Sequence, residues 1–189
     1  MSELRQAAFD LMCQYTASDS LRRHMLAVES AMTAYARKFG ADEETWRVTG
    51  LLHDFDYEKW PTIPDHPLQG SRILRENGFP EEIIYAIQSH TGIPEAPRIS
   101  LLDKALFACD ELCGFITACS YVRPEGITGL TASSVIKKMK QKSFAAAVNR
   151  EDITRGAEEL GVDLAGHIQF VIDALAVDAV ALKLVPAAT

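Results

Sequence analysis

Apolar residues recur along most of this chain at intervals of three and four, which is the spacing of an amphipathic helix. The first such segment covers residues 2–16. The second covers residues 18–39 and ends before Gly40, because glycine readily adopts the backbone conformation that terminates a helix. Asp42 is a good cap for the start of a third segment, which ends at His53.

The same spacing continues to the end of the chain, interrupted by two proline-containing loops at residues 55–65 and 91–98. No window alternates between apolar and polar residues with the period of a β-strand. We therefore predict an all-α fold, a helical bundle. Its further helices are expected at residues 65–78, 80–90 and 100–121, from Thr131 in a lysine-rich stretch, in a shorter segment after that, and at residues 163–184.

The length and charge of the chain narrow the classes of protein that it fits. A chain of 189 residues is long enough to bury a core of its own, so we predict one domain spanning residues 1–189. Its net charge of −7 argues against a general nucleic-acid binder, because phosphate contacts require an excess of lysine and arginine. The apolar face of the last helix, which includes Ile168 and Val171, is expected to close the core, with a dimer contact as the alternative.

The cellular address is predicted from the cysteines and from charges in apolar stretches. The four cysteines form no C-x-x-C pair and are interpreted as buried free thiols of a reducing compartment: Cys13, Cys109, Cys113 and Cys119. Glu3 and Arg5 interrupt any apolar region of a signal peptide. Asp110 and Glu111 make membrane insertion of the apolar run at 105–122 unfavourable. We expect a cytoplasmic protein with no membrane partner.

Several imidazoles and carboxylates lie where the pattern predicts buried helix faces or helix ends. His53 and Asp54 follow directly on an apolar helical run, and imidazole with carboxylate is a common ligand pair for transition metals. His24 shares a face with apolar residues, and Asp110 lies in an apolar helix where a carboxylate needs a partner. Taken singly, His24 also fits a hydrogen-bonded core residue, and we interpret the isolated His167 as structural.

The order of these residues resembles the HD-domain metal-dependent phosphohydrolases, here a small single-domain member of bacterial type. The shared pattern is a histidine on an early helix, a His-Asp doublet that closes a helix, and a distant aspartate on a later helix. The resemblance spans roughly residues 20–120 and implies an all-helical domain on which the helices at 131–185 pack. It implies a metal ion held by His24, His53, Asp54 and Asp110. In binuclear relatives two further histidines hold a second ion bridged by the doublet aspartate, and His66 and His90 match those places.

The resemblance also implies a reaction. A phosphomonoester or phosphodiester of a nucleotide or other small metabolite would be hydrolysed by a metal-activated water, with one or two divalent ions among Mn, Fe, Co, Ni, Zn and Mg. Tyr57 stands where some relatives have a glutamate that moves protons and others a lysine. We therefore predict that Asp56 or Glu58 lies near the metal water and shares the catalytic work with Asp54.

A lysine-rich stretch near residue 140 supplies candidates for substrate binding. Lys137, Lys140 and Arg150 are interpreted either as clamps for the phosphate of a small substrate or as part of a solvated helix face. Two other functions stay open: a di-iron oxygenase or lyase that uses the same six ligands, and a non-catalytic ligand-binding module.

Overall fold

The computed structural model describes residues 2–186, and within them every regular element is a helix, which confirms the all-α prediction. The helices are α1 (Glu3–Tyr15), α2 (Asp19–Phe39), α3 (Glu43–Leu52), α4 (Asp65–Glu76), α5 (Glu81–His90), α6 (Leu101–Tyr121), α7 (Ala132–Met139), α8 (Arg150–Leu160) and α9 (Leu164–Val177).

The chain divides into two compact units. The first ends at Phe107 and contains α1–α5 with the start of α6, and the second begins at Ala108 and contains the rest of α6 with α7–α9. Single-domain organisation stays a prediction.

Side-chain caps set the helix starts in the first unit. Ser2, Ser18 and Asp42 each accept a hydrogen bond from the backbone N–H three residues further on, which satisfies a donor that the helix itself leaves unpaired. At the other end of α2, Gly40 adopts a left-handed conformation with φ of 65°. The predicted limits of α2 are confirmed to within a residue.

The core of the first unit lies where α1, α2, α3 and α5 meet, and it is filled by Met12, Met25, Leu51, Phe55 and Ile83 among others. Burying side chains of this size provides the main favourable free energy of folding.

Two helices of the first unit approach each other without intervening side chains. A Cβ atom at Gly50 of α3 would lie 2.9 Å from the backbone nitrogen of Glu29 and 2.9 Å from the carbonyl oxygen of Val28 on α2. Because a real side chain does not fit there, the glycine allows α3 to lie directly against α2. This contact brings the end of α3, which carries His53, beside His24 on α2.

An ion-pair network around the buried carboxylate of Glu29 joins α1, α2 and α3. Arg5 on α1 donates from Nε and Nη2 to the Glu29 carboxylate on α2, at 2.5 and 2.9 Å. Arg47 on α3 donates to the same carboxylate at 3.2 Å. The side chain of Glu29 is only 6% exposed, so these cations provide the partners that a buried carboxylate needs.

In the second unit, α7 and α8 pack against α9. Gly156 of α8 lies against α6, where an added Cβ would be 2.7 Å from Cα of Ala108. Nε2 of the buried His167 lies 2.9 Å from the Ala108 carbonyl oxygen, in agreement with a structural role for that histidine.

The predicted end point of the last helix is wrong. Helix α9 ends at Val177 rather than at residue 184, and turns follow. Ala179, Leu182 and Leu184 are buried in those turns, so the apolar spacing continues after the helical backbone has ended. The Leu184 carbonyl accepts a hydrogen bond from the N–H of Ile127 at 2.7 Å, a long-range contact that the sequence pattern does not reveal.

All four cysteines are free thiols, as predicted, but only Cys109, Cys113 and Cys119 are buried, and Cys13 is half-buried. Within residues 2–186, no single helix has both the length and the apolar composition to cross a membrane, and α8 and α9 meet these requirements only jointly, as a pair bent by 99°.

Candidate metal centre

The two carboxylate oxygens of Asp54 face two different pairs of imidazoles. Oδ1 lies 3.2 Å from Nε2 of His66 and 3.5 Å from Nε2 of His90. Oδ2 lies 3.4 Å from Nε2 of His53 and 4.0 Å from Nε2 of His24. All five residues belong to the first unit, and all five were predicted from the sequence as metal ligands.

Helix ends supply most of this cluster. His53 and Asp54 follow the end of α3, and His90 is the last residue of α5. His66 lies in the first turn of α4 with a non-helical ψ of 123°, as expected for a residue that precedes a proline. His24 is the exception, because it lies within the long helix α2.

Hydrogen bonds from Nδ1 to backbone carbonyl groups orient two of these imidazoles. Nδ1 of His53 lies 2.9 Å from the Gly50 carbonyl oxygen, and Nδ1 of His90 lies 2.5 Å from the Ile87 carbonyl oxygen. A carbonyl oxygen only accepts, so in both rings Nδ1 carries the hydrogen. In a neutral ring, Nε2 then presents a lone pair, which is the arrangement of a histidine that binds a metal.

The atoms that face one another, the Nε2 atoms of the histidines and the carboxylate oxygens of Asp54, are therefore mostly hydrogen-bond acceptors. The Nε2 atoms of His24 and His53 lie 3.2 Å apart, and the Asp54 oxygens lie at similar distances from the other imidazoles. Lone pairs so close together repel unless a cation or a proton lies between them. Neighbouring ligands of a tetrahedral ion with bonds of about 2.1 Å are about 3.4 Å apart, so the donor set fits a divalent metal.

The ligand atoms fall into groups that share Asp54. One group contains Asp54, His66 and His90, and the other includes Asp54, His24 and His53, with the ligand atoms of each group within 4.8 Å of one another. These groups could hold metal ions.

The charged groups of the cluster shift one another's pKa values. Burial opposes ionisation of Asp54, but His53, His66 and His90 together hold the pKa of its carboxyl group well below the usual range. Burial likewise opposes protonation of His66, but its hydrogen bonds to Asp54 and Asp56 raise the pKa of His66 to about 9. In the metal-free protein, a proton on His66 therefore relieves the repulsion that a metal would otherwise relieve.

Asp56 lies behind His66 rather than among the facing ligand atoms. Its side chain is buried, and Oδ1 is 2.7 Å from Nδ1 of His66 while Oδ2 accepts the backbone N–H of Gly70 at 2.9 Å. A Cβ at Gly70 would lie 2.6 Å from the same Oδ2, so only glycine allows this approach. The only signal for the contact in the sequence is a glycine inside a helix, where glycine is disfavoured.

Glu58 also has partners outside the cluster. Its Oε2 accepts the backbone N–H groups of Ala17 and Ser18, at 2.8 and 3.1 Å, just before α2. Tyr57 lies closer to the centre, with its ring perpendicular to that of His66 and 5.4 Å away between centroids. Catalytic roles for Asp56 and Glu58 stay predictions, and their contacts favour positioning roles.

The remaining predicted residues belong to the second unit. Asp110 is half-buried on α6, next to the buried Cys109. Burial, followed by the charge of Asp110, raises the pKa of the Cys109 thiol far above its ordinary value. The place of Asp110 in the ligand set stays a prediction.

Lys137, Lys140 and Arg150 differ in their surroundings. The Arg150 guanidinium donates to the carbonyls of Phe144, Ala145 and Val148 and lies 5.0 Å from the centre of the Phe115 ring. Lys137 lines a cavity described below, and Lys140 is exposed at the end of α7. Their role in substrate binding stays a prediction.

Comparison with known families identifies one match. The model of the family described as the HD domain matches residues 21–114, which include most of α2, all of α3–α5 and part of α6. No solved structure gave a significant match to the chain.

Three curated relatives are similar to part of the chain. A tRNA (cytidine(56)-2'-O)-methyltransferase of Thermoplasma volcanium is 32% identical over 46% of this chain and 25% of its own length. A ribonuclease Y of Desulfotalea psychrophila is 32% identical over 49% of this chain and 18% of its own length. An uncharacterised protein of Methanocaldococcus jannaschii is 34% identical over 40% of this chain and 47% of its own length. The chain thus spans less than half the length of each of these relatives.

Proposed function

The chain belongs to the HD-domain superfamily, and from this membership and the Asp54 cluster we propose that it is a metal-dependent phosphohydrolase. Its substrate is a phosphomonoester or phosphodiester of a nucleotide or another small metabolite.

The observation that carries this proposal is the division of the Asp54 carboxylate between two pairs of imidazoles. His24, His53 and Asp54 would hold a first ion, with Asp110 as the fourth ligand that the family resemblance implies. His66 and His90, together with Asp54, would hold a second ion. Imidazole and carboxylate ligands accept Mn, Fe, Co, Ni, Zn and sometimes Mg, so the donor set leaves the metal open.

Bound divalent ions supply two things to phosphate ester hydrolysis, a water of lowered pKa and positive charge beside the phosphate oxygens. Other residues of the chain orient the imidazoles that would bind these ions. Asp56 keeps His66 in one orientation through the 2.7 Å contact at Nδ1, and the Gly50 and Ile87 carbonyls do the same for His53 and His90. Glu58 holds the segment before α2 in place.

The substrate class follows from charge and from the relatives. A ribonuclease among them supports hydrolysis of phosphate esters, although the shared part is only 18% of that protein. The net charge of −7 favours a small substrate over a long nucleic acid.

Metal analysis together with activity assays tests the proposal. Protein purified without chelators is expected to carry one or two divalent ions per chain and, after loading with Mn or Co, to release phosphate or cleave a diester within a panel of nucleotides and small phosphate esters. Asp54→Asn is expected to abolish metal binding and activity while the helical circular dichroism spectrum is retained. Asp65→Asn, a change at the exposed first residue of α4, is the matched control and should keep both. Full metal content in Asp54→Asn would overturn the assignment.

The second group of ligands also supports a second candidate function. With His66 and His90 around Asp54 in addition to the first group, the chain would have the six ligands of a di-iron oxygenase. Close to two irons per chain, with a visible absorption band and no phosphatase or phosphodiesterase activity, would favour that function. Bound metal with neither activity would favour a ligand-binding module.

A further inference from the structure

A second site lies wholly within the second unit. The end of α6, the loop after it and α7 surround a cavity of about 360 Å³, a volume within the range of small-molecule pockets. One part of its lining is apolar and comes from Cys119, Val122 and Leu130. The rest is polar, with a hydroxyl group from Ser134 and an amide from Gln141.

Three cations line the same cavity, and none of its lining residues is acidic. They are Arg123 on the loop and Lys137 and Lys138 on α7. Among residues 2–186, neither lysine forms an ion pair, whereas Nη2 of Arg123 lies 3.9 Å from the carboxylate of the exposed Glu125, which does not line the cavity. In a chain of net charge −7, three cations without a carboxylate in one concave lining indicate an anionic ligand.

Two of the cations are held in place by the protein. Arg123 donates from Nε to the Gly126 carbonyl and from Nη2 to the Thr128 carbonyl, both at 3.0 Å. Lys138 donates to the side-chain oxygen of Gln141 at 3.4 Å and lies 4.6 Å from the centre of the Phe144 ring. A fixed cation loses little conformational freedom when it binds a ligand, which favours affinity.

The positive charges also act on Cys119, a buried residue of the cavity lining. Burial raises the pKa of the Cys119 thiol to about 11, while the charges of Lys138, Arg123 and Arg150 act in the opposite direction and favour the thiolate. An anionic group inside the cavity would be stabilised by the same charges.

We propose that this cavity binds a small phosphate monoester with a compact apolar body, with the phosphate against Arg123, Lys137 and Lys138 and the body against Val122 and Leu130. Three cations match a dianionic phosphate better than a singly charged carboxylate. The cavity shares no lining residue with the candidate metal ligands. Of the three residues predicted as substrate clamps, Lys137 lines this cavity, whereas Lys140 and Arg150 do not.

Calorimetric titration of the whole protein with phenyl phosphate tests this site. A chelator in the buffer removes metal-dependent binding, so failure of the hydrolase proposal leaves this result unaffected. We expect saturable binding of one phenyl phosphate per chain. Inorganic phosphate lacks the apolar body, phenol lacks the charge, and benzoate lacks the second negative charge. Each should therefore bind at least about tenfold more weakly than phenyl phosphate.

Matched lysine variants locate the binding. Lys137→Gln and Lys138→Gln are expected to weaken phenyl phosphate binding by about tenfold each, the usual effect of losing one hydrogen bond to a charged group. Lys140→Gln removes an exposed lysine outside the cavity and should change affinity less than about twofold. Val122→Glu, at a side chain that is 58% exposed, adds a negative charge at the cavity and should abolish binding without unfolding the protein.

Three results would overturn the proposal. One is the lack of saturable phenyl phosphate binding at millimolar concentrations. Another is an equal loss of affinity in Lys140→Gln and Lys137→Gln, which would indicate a diffuse effect of charge. The third is tighter binding of a single-stranded oligonucleotide that depends on Lys140 and Lys142, which would indicate a surface for polyanions.

Discussion

At the scale of single residues, His66 couples the metal centre to pH. Its pKa in the metal-free folded protein is raised from 6.5 to about 9, so the folded state holds a proton that the unfolded state has lost. The resulting stabilisation is fully present below pH 6.5 and is lost as the pH rises through 9.

We therefore expect the free energy of unfolding of the metal-free protein to fall between pH 6.5 and 9 by an amount on the order of 3 kcal/mol. Urea denaturation in chelator at several pH values measures it. His66→Gln should remove this decline, whereas His167→Gln, a buried histidine outside the cluster, should retain it. An unchanged pH dependence in His66→Gln would contradict the assignment of the proton.

Gly70 provides a test of the contact between Asp56 and His66. In Gly70→Ala the new Cβ would collide with the Asp56 carboxylate and displace it from Nδ1 of His66. Metal affinity, measured by titration with Mn, should fall about 10–100-fold, as for other residues that orient a metal ligand. Gly114→Ala is the matched control, because a Cβ at Gly114 contacts nothing within 4 Å. Equal metal affinity in the two variants would exclude a positioning role for Asp56.

At the scale of helices, local chemistry accounts for much of the fold. Capping by Ser18 and Asp42 and the left-handed Gly40 define α2 and the start of α3 from short-range contacts, which is why these limits are predictable. The chain beyond α9 instead makes a hydrogen bond between Leu184 and Ile127, which are far apart in sequence. Apolar spacing alone does not separate a helix from the buried turns that follow it.

The Glu29 network should contribute to stability because it is buried. Arg5→Met leaves the Glu29 carboxylate with Arg47 as its main cation, and we expect a loss of about 2–3 kcal/mol in the free energy of unfolding. The matched control is Arg37→Met, which breaks an ion pair with Glu43 whose side chains are 65% and 48% exposed. Its loss should stay below about 1 kcal/mol in the same denaturation assay. Equal losses would show that burial does not strengthen the network.

At the scale of the whole molecule, the sequence predicts which imidazoles and carboxylates come together better than it predicts their surroundings. The five residues that meet in the first unit were predicted because imidazole and carboxylate on apolar helix faces need polar partners and because their order resembles a known family. The contacts of Asp56 and Glu58 were not predicted, since they depend on backbone groups at Gly70 and Ala17 that only the fold brings near. The cavity at α7 escaped prediction for the same reason.

The direct contact of α3 with α2 at Gly50 sets how close two of the candidate ligands can come. With backbone against backbone, the helices cannot pack more tightly, and the Nε2 atoms of His24 and His53 lie 3.2 Å apart. An ion with bonds of about 2.1 Å, such as Zn, would need little change in this distance, whereas Ca, with bonds of about 2.3–2.6 Å, would require the donors to separate. We therefore expect the folded chain to hold these two imidazoles near the spacing of a small ion before any ion binds.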